Sequence, residues 1–146
     1  MFGPASWYFD ANTIGPAKVL SRVRRDVTWP GDDGQRGGSA KNWLPASPIK
    51  GTEVKDSEWI PAVAEAGMQI ITRDHRIQTR LLELEAVHSS RARMFAIKAD
   101  EPQRAWDLVE VLVSRWRDMD RVAKAVPGPF VAVVTRTTIR DLELWK

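Results

Sequence analysis

Two acidic residues each stand just after a short apolar run in this sequence. Trp7-Tyr8-Phe9 leads directly into Asp10, and the run from Met68 to Thr72 is followed by Arg73 and then Asp74. Short apolar runs bounded by polar residues are typical of buried strands. In an open α/β sheet, ligands bind in the crevice beyond the carboxyl ends of the strands. Acids at that place are suited to chemistry, although Asp is also a frequent helix cap.

A third acid, Asp56, lies near the start of a segment, residues 55–67, whose apolar residues repeat with helical spacing. We therefore expect Asp56 at the beginning of a helix. Its carboxylate there either caps backbone N–H groups or leans into the crevice toward Asp10 and Asp74. The residue pattern leaves both alternatives open.

Convergence of the three carboxylates would require a cation. Like charges within a few ångströms raise one another's pKa, so three carboxylates stay ionised together only when a positive charge compensates them. Mg²⁺ and Mn²⁺ prefer oxygen ligands and are usually held by carboxylates together with substrate phosphates. The chemistry that follows from such a site is phosphodiester hydrolysis, in which the ion activates water and offsets charge on the attacking and leaving oxygens.

Strands and helices alternate along the predicted chain. The predicted strands cover residues 7–9, 26–30, 68–72, 94–97 and 130–134. Four helices are predicted. The first starts after Asn12 or Thr13 and has Val19, Leu20 and Val23 on its inner face. The others lie within residues 55–67, start near Ile77, and run from Pro102 to Pro127. Because parallel neighbours need crossover connections, this alternation predicts an α/β fold with a small, mainly parallel sheet and helices on both faces. Residues 135–139 either extend the last strand or turn back as a hairpin.

The composition changes between residues 31 and 51. Five of the nine glycines fall there, and such a stretch cannot form a periodic core. Loops of this length in compact domains tend to be functional or disordered, so we expect a mobile flap beside the site. Asp32 and Asp33 within it are typical turn residues.

The composition of the whole chain restricts the function classes. A length of 146 residues suffices to bury roughly two thirds of the unfolded surface, so one domain over residues 1–146 is the simplest organisation. The absence of Cys excludes disulfides and thiolate metal sites. No apolar run suits a membrane span or a secretory signal, so we expect a cytoplasmic protein without membrane contact. The net charge of +3 permits nucleic-acid binding.

Three segments, taken in order, resemble a known family. Tyr8-Phe9-Asp10-Ala11-Asn12, then Lys55 to Pro61, then Ile70 to Ile77 are similar to the PIN-like domain family, in particular to VapC-type toxins. The resemblance implies a single PIN-like domain over residues 1–146 and an endoribonuclease that hydrolyses RNA with Mg²⁺ or Mn²⁺. It also implies that a cognate antitoxin protein and a homodimer are candidate assemblies.

The resemblance assigns Asp10, Asp56 and Asp74 as the catalytic, metal-binding acids. Many PIN-like domains have a fourth acid, for which Glu58 and Asp100 are the candidates here. Without a fourth acid, the resemblance supports one firmly held ion rather than two.

Supporting roles fall to residues beside these acids. Asn12 and Glu58 are candidates to hydrogen-bond an acid or a metal-bound water, although a turn or cap role is the alternative for Asn12. Arg73 and Arg76 flank Asp74 and are candidates to bind substrate phosphates, since the guanidinium group suits bidentate contact. The alternative for both arginines is a solvated surface position.

Three function classes therefore fit these residues. The first is a metal-dependent endoribonuclease, the toxin of a toxin-antitoxin pair. The second is a non-catalytic nucleic-acid- or protein-binding module with a degenerate PIN-like site, whose RNA binding would be insensitive to EDTA and would weaken steeply with salt. The third is a small phosphohydrolase acting on nucleotides, which a comparison of mononucleotide with oligonucleotide substrates separates from the first.

Overall fold

The computed structural model of the protein describes residues 6–34, 46–73 and 81–141. The strands within these residues are β1 (Trp7–Phe9), β2 (Val27–Thr28), β3 (Gln69–Arg73), β4 (Arg93–Ile97), β5 (Phe130–Val134) and β6 (Ile139–Asp141). The helices are α1 (Ile14–Ser21), α2 (Asp56–Glu65), α3 (Leu81–Ser90) and α4 (Ala105–Ala125), and a 3-10 turn, Ala11–Thr13, joins β1 to α1. The predicted alternation of strands and helices is confirmed.

The described strands form a sheet in the order β2-β1-β3-β4-β5-β6. Neighbours pair in parallel from β2 through β5, and β6 pairs antiparallel with β5. The predicted α/β fold with a mainly parallel sheet is confirmed. Residues 135–139 take the hairpin alternative, because the Thr135 N–H donates to the Thr138 carbonyl at 2.8 Å and closes the turn before β6.

The order of the strands changes direction at β1. The chain passes from β1 to one neighbour, β2, and then returns across β1 to the other neighbour, β3. In open parallel sheets, a crevice forms at the carboxyl edge where the strand order reverses in this way. The crevice expected for this sheet therefore lies between the carboxyl ends of β1 and β3.

Helices cover both faces of the sheet. Trp7 and Phe9 belong to the apolar layer beneath α1 and α4, whereas Tyr8 belongs to the layer that it shares with Trp59 of α2 and with residues of α3. This split follows from the alternation of side chains along a strand. Asp10 continues β1 in extended backbone, with φ −71° and ψ 178°, and so follows on the Tyr8 side of the sheet.

The inner face of α1 differs from the predicted one. Leu20 is buried as expected, but Val19 and Val23 are 52% and 82% exposed. The residues that accompany Leu20 in the core are Pro16 and Ala17. They precede Leu20 by about one helical turn and share its face, whereas Val19 is rotated by about 100° and Val23 lies beyond the last residue of the helix.

α4 has the inner face that its pattern predicts. The buried residues of this helix include all five expected ones, Leu108, Val109, Leu112, Trp116 and Met119. The helix begins at Ala105 rather than at Pro102, because the Asp107 carboxylate accepts the Arg104 N–H at 2.8 Å and caps the first turn. Among the described helices, none is both long enough and apolar enough to cross a membrane.

Buried hydrogen bonds stabilise the start of the predicted loop between residues 31 and 51. The Asp32 carboxylate accepts the Thr28 hydroxyl at 2.7 Å and the Gly34 N–H at 3.0 Å. This is the turn chemistry that the sequence predicts for Asp32. Residues 35–45, the centre of the predicted flap, lie outside the described residues.

Candidate active site

Asp10 lies directly after β1, and its side chain is only 7% exposed. Its carboxylate caps the 3-10 turn that follows the strand, because Oδ1 accepts the Asn12 backbone N–H at 3.1 Å and the Thr13 hydroxyl at 3.1 Å. Satisfying a free N–H group in this way is a common role for Asp at the start of a helical turn. The cap uses Oδ1 and leaves Oδ2 for other contacts.

A hydroxyl on the neighbouring strand binds Oδ2 of Asp10. β1 and β3 pair in parallel with Phe9 opposite Ile71, and the Asp10 N–H donates to the Ile71 carbonyl at 3.0 Å. This register brings Thr72 beside Asp10, and the Thr72 hydroxyl donates to Oδ2 at 2.5 Å. The bond spans the two strand ends at which the sequence predicts a crevice.

The environment of Asp10 disfavours its charge. Burial is the main reason that the pKa of Asp10 rises from 3.8 to about 6, and the Asp56 charge acts in the same direction. Hydrogen bonds from Thr72, Thr13 and the Asn12 N–H lower the pKa because they favour the ionised form. A buried acid with a strongly perturbed pKa next to a second acid is typical of a functional site.

Asp56 is the first residue of α2 and is half-buried. Lys55 occupies the N-cap position, and the Asp56 carboxylate instead accepts the indole N–H of Trp59 at 2.7 Å through Oδ1. The Asp56 charge is close enough to contribute to the raised pKa of Asp10 and of Tyr8. The contact of the Asp56 carboxylate is thus with the Trp59 indole rather than with a backbone N–H group at the start of α2.

Tyr8 is buried on the same side of β1 as Asp10. Burial first, and then the charges of Asp10 and Asp56, raise the pKa of its hydroxyl well above the usual value. The phenol consequently stays protonated at neutral pH and remains a hydrogen-bond donor near two carboxylates. Its ring packs on Trp59, with the ring centroids 5.2 Å apart and the planes inclined by 36°.

The third predicted acid, Asp74, and the predicted phosphate-binding Arg76 lie outside the described residues. β3 ends at Arg73, so the described chain stops one residue before Asp74, at the carboxyl edge of the sheet. Within residues 6–34, 46–73 and 81–141, no three Asp, Glu or His side chains lie close enough together to hold a metal ion. The described part of the site therefore contains two acids, Asp10 and Asp56.

The structure also describes four of the other predicted residues. Asn12 is exposed and contributes its backbone N–H to Asp10. Glu58, in the first turn of α2, and Asp100, after β4, are both exposed. Arg73 is half-buried, and its Nε is buried without a hydrogen-bond partner among the described residues.

Four residues that contact or flank the acids were not predicted from the sequence: Tyr8, Thr13, Trp59 and Thr72. Two of them carry a recognisable signal. Trp59 follows Asp56 by three residues, the spacing at which side chains meet on a helix. Thr72 is a hydroxyl-bearing residue that directly follows the apolar pair Ile70-Ile71 near the end of the strand. Nothing in the sequence marks Tyr8 or Thr13 in this way.

The fold is that of an α/β protein in which Asp10 follows the strand where the order of a parallel sheet reverses. A family model described as a PIN like domain matches residues 8–99. This span is more than half of the chain and includes both Asp10 and Asp56. The chain therefore belongs to the PIN-like domain family, whose members are generally nucleases and typically use divalent metal ions. No curated protein and no solved structure matches the chain.

Proposed function

We propose that the protein is a metal-dependent endoribonuclease, a hydrolase that cleaves RNA phosphodiester bonds with Mg²⁺ or Mn²⁺. The observation that carries the proposal is a buried acid, Asp10, beside a second carboxylate, Asp56, whose charge contributes to its raised pKa. The two acids lie at the carboxyl edge of the sheet in a PIN-like chain. Asp74, the residue that follows β3, is the third acid of the proposed site.

The donor set fits a hard divalent cation, because every proposed ligand atom is a carboxylate oxygen. A carboxylate has about four acceptor positions. Asn12, Thr13 and Thr72 each donate one hydrogen bond to Asp10, which leaves an acceptor position on Oδ2. A cation there would also offset the negative charge that burial disfavours.

The chain's own residues prepare the site. Asp10, Asp56 and Asp74 would hold the ion, and the chemistry that such an ion supplies is activation of water and neutralisation of charge on the phosphate. Thr72 and Thr13 fix the orientation of the Asp10 carboxylate and favour its ionised form. Tyr8 retains its proton and keeps a neutral donor beside the acids.

Arg73 and Arg76 are the proposed contacts to the RNA backbone. The buried Nε of Arg73 has no acceptor among the described residues, and buried N–H groups are normally paired. A phosphate oxygen would supply a charged acceptor for it. The net charge of +3 also favours association with a polyanion.

The test is incubation of the purified protein with single-stranded RNA and Mg²⁺ or Mn²⁺. We expect cleavage that EDTA stops and that Asp10→Asn, Asp56→Asn and Asp74→Asn each abolish while the fold is retained. Asp120→Asn is the matched control, because this acid lies on α4 and pairs with Lys124 at 2.9 Å on the protein surface. Its removal should leave cleavage unchanged.

Other outcomes identify the rival classes. RNA binding without cleavage, unaffected by EDTA, would identify a non-catalytic binding module. Hydrolysis of mononucleotides but not of oligonucleotides would identify a small phosphohydrolase. Unchanged cleavage by Asp74→Asn would show that Asp74 does not belong to the proposed site.

The resemblance to VapC-type toxins supports a finer form of the proposal. In this form the chain is a single cytoplasmic PIN-like domain over residues 1–146, a homodimer, and the toxin of a toxin-antitoxin pair. A cognate antitoxin would cover the acidic crevice. Co-expression with the product of a neighbouring short reading frame should then relieve growth arrest and inhibit RNA cleavage. Growth that is unaffected by the protein alone would contradict the toxin role, and a monomer in sedimentation would contradict the dimer.

A further inference from the structure

The indole of Trp59 is hydrogen-bonded to one of the two described acids of the site. Its Nε1 donates to Oδ1 of Asp56 at 2.7 Å within the first turn of α2. The indole N–H is a donor with no acceptor capacity, so this bond specifies one carboxylate oxygen and one side-chain orientation. The described residues leave Oδ2 of Asp56 without a side-chain hydrogen bond.

Trp59 is itself held in place from the sheet. Its side chain is 6% exposed and lies in the apolar layer between the sheet and α2. Its ring packs on Tyr8 of β1, at 5.2 Å between centroids, and Tyr8 stands two residues before Asp10. The strand that presents Asp10 thus also supports the ring that binds Asp56.

Burial does not by itself supply an indole with an acceptor in this protein. Trp116, on the other face of the sheet, is 8% exposed, and its Nε1 is buried without a partner among the described residues. Trp59 and Trp116 are therefore buried to a similar extent but differ in whether the N–H binds a carboxylate. This difference makes Trp116 a matched control.

We propose that Trp59 is a positioning residue for the metal site, which fixes Asp56 through Oδ1 and leaves Oδ2 to bind the ion. This inference rests on the proposed function, since it assumes that Asp56 is a metal ligand. Groups that hydrogen-bond a ligand orient it and tune its basicity, and their removal typically costs about 10- to 100-fold in metal affinity. In this role Trp59 acts through Asp56 and needs no contact of its own with the substrate or the ion.

The first experiment compares Trp59→Phe with Trp116→Phe. Both variants remove an indole N–H and the larger ring from a buried position. Binding of Mn²⁺ alone is measured by electron paramagnetic resonance of the free ion. We expect about tenfold or greater loss of Mn²⁺ affinity in Trp59→Phe, and wild-type affinity in Trp116→Phe. In cleavage assays, the Mn²⁺ concentration for half-maximal rate should rise in Trp59→Phe, whereas the rate at saturating Mn²⁺ should change much less.

The second experiment leaves Trp59 unchanged and decides the matter if Trp59→Phe fails to fold. The indole N–H resonance of Trp59 is assigned in ¹⁵N-labelled wild-type protein through its nuclear Overhauser contacts to the Tyr8 ring. Titration with Mg²⁺ should shift this resonance saturably, and Asp56→Asn should abolish the shift. The Trp116 resonance should not move.

The outcomes separate this inference from the proposed function. Equal Mn²⁺ affinity in Trp59→Phe and wild type, or a Trp59 resonance that ignores Mg²⁺ while the protein binds it, would overturn the positioning role alone. Absence of Mn²⁺ binding to the wild-type protein would overturn the proposed function and the positioning role together.

Discussion

The Thr72 hydroxyl donates a hydrogen bond of 2.5 Å to Oδ2 of Asp10, and so joins two residues that are 62 positions apart in the chain. The bond crosses from β3 to the end of β1, at the point where the strand order reverses. It favours the ionised form of an acid whose pKa burial raises. The edge of the sheet therefore provides both the acid and the group that counteracts part of the cost of burying it.

Replacement of Thr72 by Val tests this relationship. The change keeps the β-branched shape but removes the donor to Oδ2, so the ionised form of Asp10 loses a stabilising contact. We expect about tenfold or greater loss of Mn²⁺ affinity and a loss of about 1–3 kcal/mol in the free energy of unfolding. Titration calorimetry and urea denaturation measure the two effects.

Thr28→Val is the control for this experiment. Thr28 is also buried and donates to an Asp carboxylate, at 2.7 Å to Asp32, but on β2 rather than at the proposed site. It should lose a similar free energy of unfolding and keep the wild-type Mn²⁺ affinity. A loss of affinity that is equal in the two variants would show that Thr72 acts only through stability.

The pKa of Asp10 predicts how the stability of the metal-free protein depends on pH. The folded pKa of about 6 exceeds the usual 3.8, so between these pH values the folded state binds more protons than the unfolded state. Stability from this group is therefore fully present below pH 3.8 and is lost as the pH rises through 6. The shift corresponds to about 3 kcal/mol.

Asp10→Asn isolates this contribution because the amide does not ionise. In EDTA, the free energy of unfolding of the wild type should fall relative to that of Asp10→Asn by about 2 kcal/mol between pH 4 and pH 7. Urea denaturation at several pH values provides the measurement. If the free energy of unfolding changed with pH in the same way for both proteins, the pKa of Asp10 would not be raised in the folded state.

Addition of metal should reverse this loss. At pH 7 the Asp10 carboxylate is charged, and a cation bound by the folded state alone stabilises it by about 2.7 kcal/mol at a concentration 100 times its Kd. We expect Mg²⁺ to raise the melting temperature of the wild type, EDTA to cancel the increase, and Asp10→Asn to show none. An equal increase in both proteins would place the bound ion elsewhere.

Arg73 is predicted to contact a phosphate of bound RNA. Arg73→Gln should weaken binding of single-stranded RNA to Asp56→Asn protein, which is used to prevent cleavage. It should also reduce the slope of log K against log salt by about 0.7, the value for one phosphate contact on a single strand. Arg117→Gln, an exposed arginine on α4, makes the same change of charge and should alter neither quantity. A slope that is unchanged in Arg73→Gln would exclude the contact.

The sequence predicts those parts of the site that follow from local rules. Apolar runs that end in an acid locate Asp10 at the carboxyl edge of a parallel sheet, and helical spacing locates Asp56 at the start of α2. Both predictions hold because strand ends and helix starts depend on residues close in sequence. The cap formed by Asp10 is local in the same sense, since it joins residues two and three positions apart.

The contacts that require pairing of distant segments could not be predicted. The bond between Thr72 and Asp10 depends on β1 pairing with β3 in one particular register, and the sequence does not specify the strand order. The spacing of about one turn between Val19, Leu20 and Val23 predicts that they face inward. In the structure Leu20 is buried together with Ala17 instead, and Val23 lies beyond the end of the short α1. Trp59 has the right spacing from Asp56, but the side-chain orientation that joins them depends on packing against Tyr8.

β1 is only three residues long, and its side chains alternate between two layers. A shift of one residue in its pairing would turn Asp10 from the α2 side of the sheet to the α4 side, because the alternation has a period of two. Loss of a single residue between Ser6 and Asp10 would therefore preserve an apolar strand while moving the acid away from Asp56. The number of residues in this segment therefore matters as much as their hydrophobicity, because it decides on which face of the sheet each side chain lies. Substitutions within β1 should be tolerated far more often than insertions or deletions.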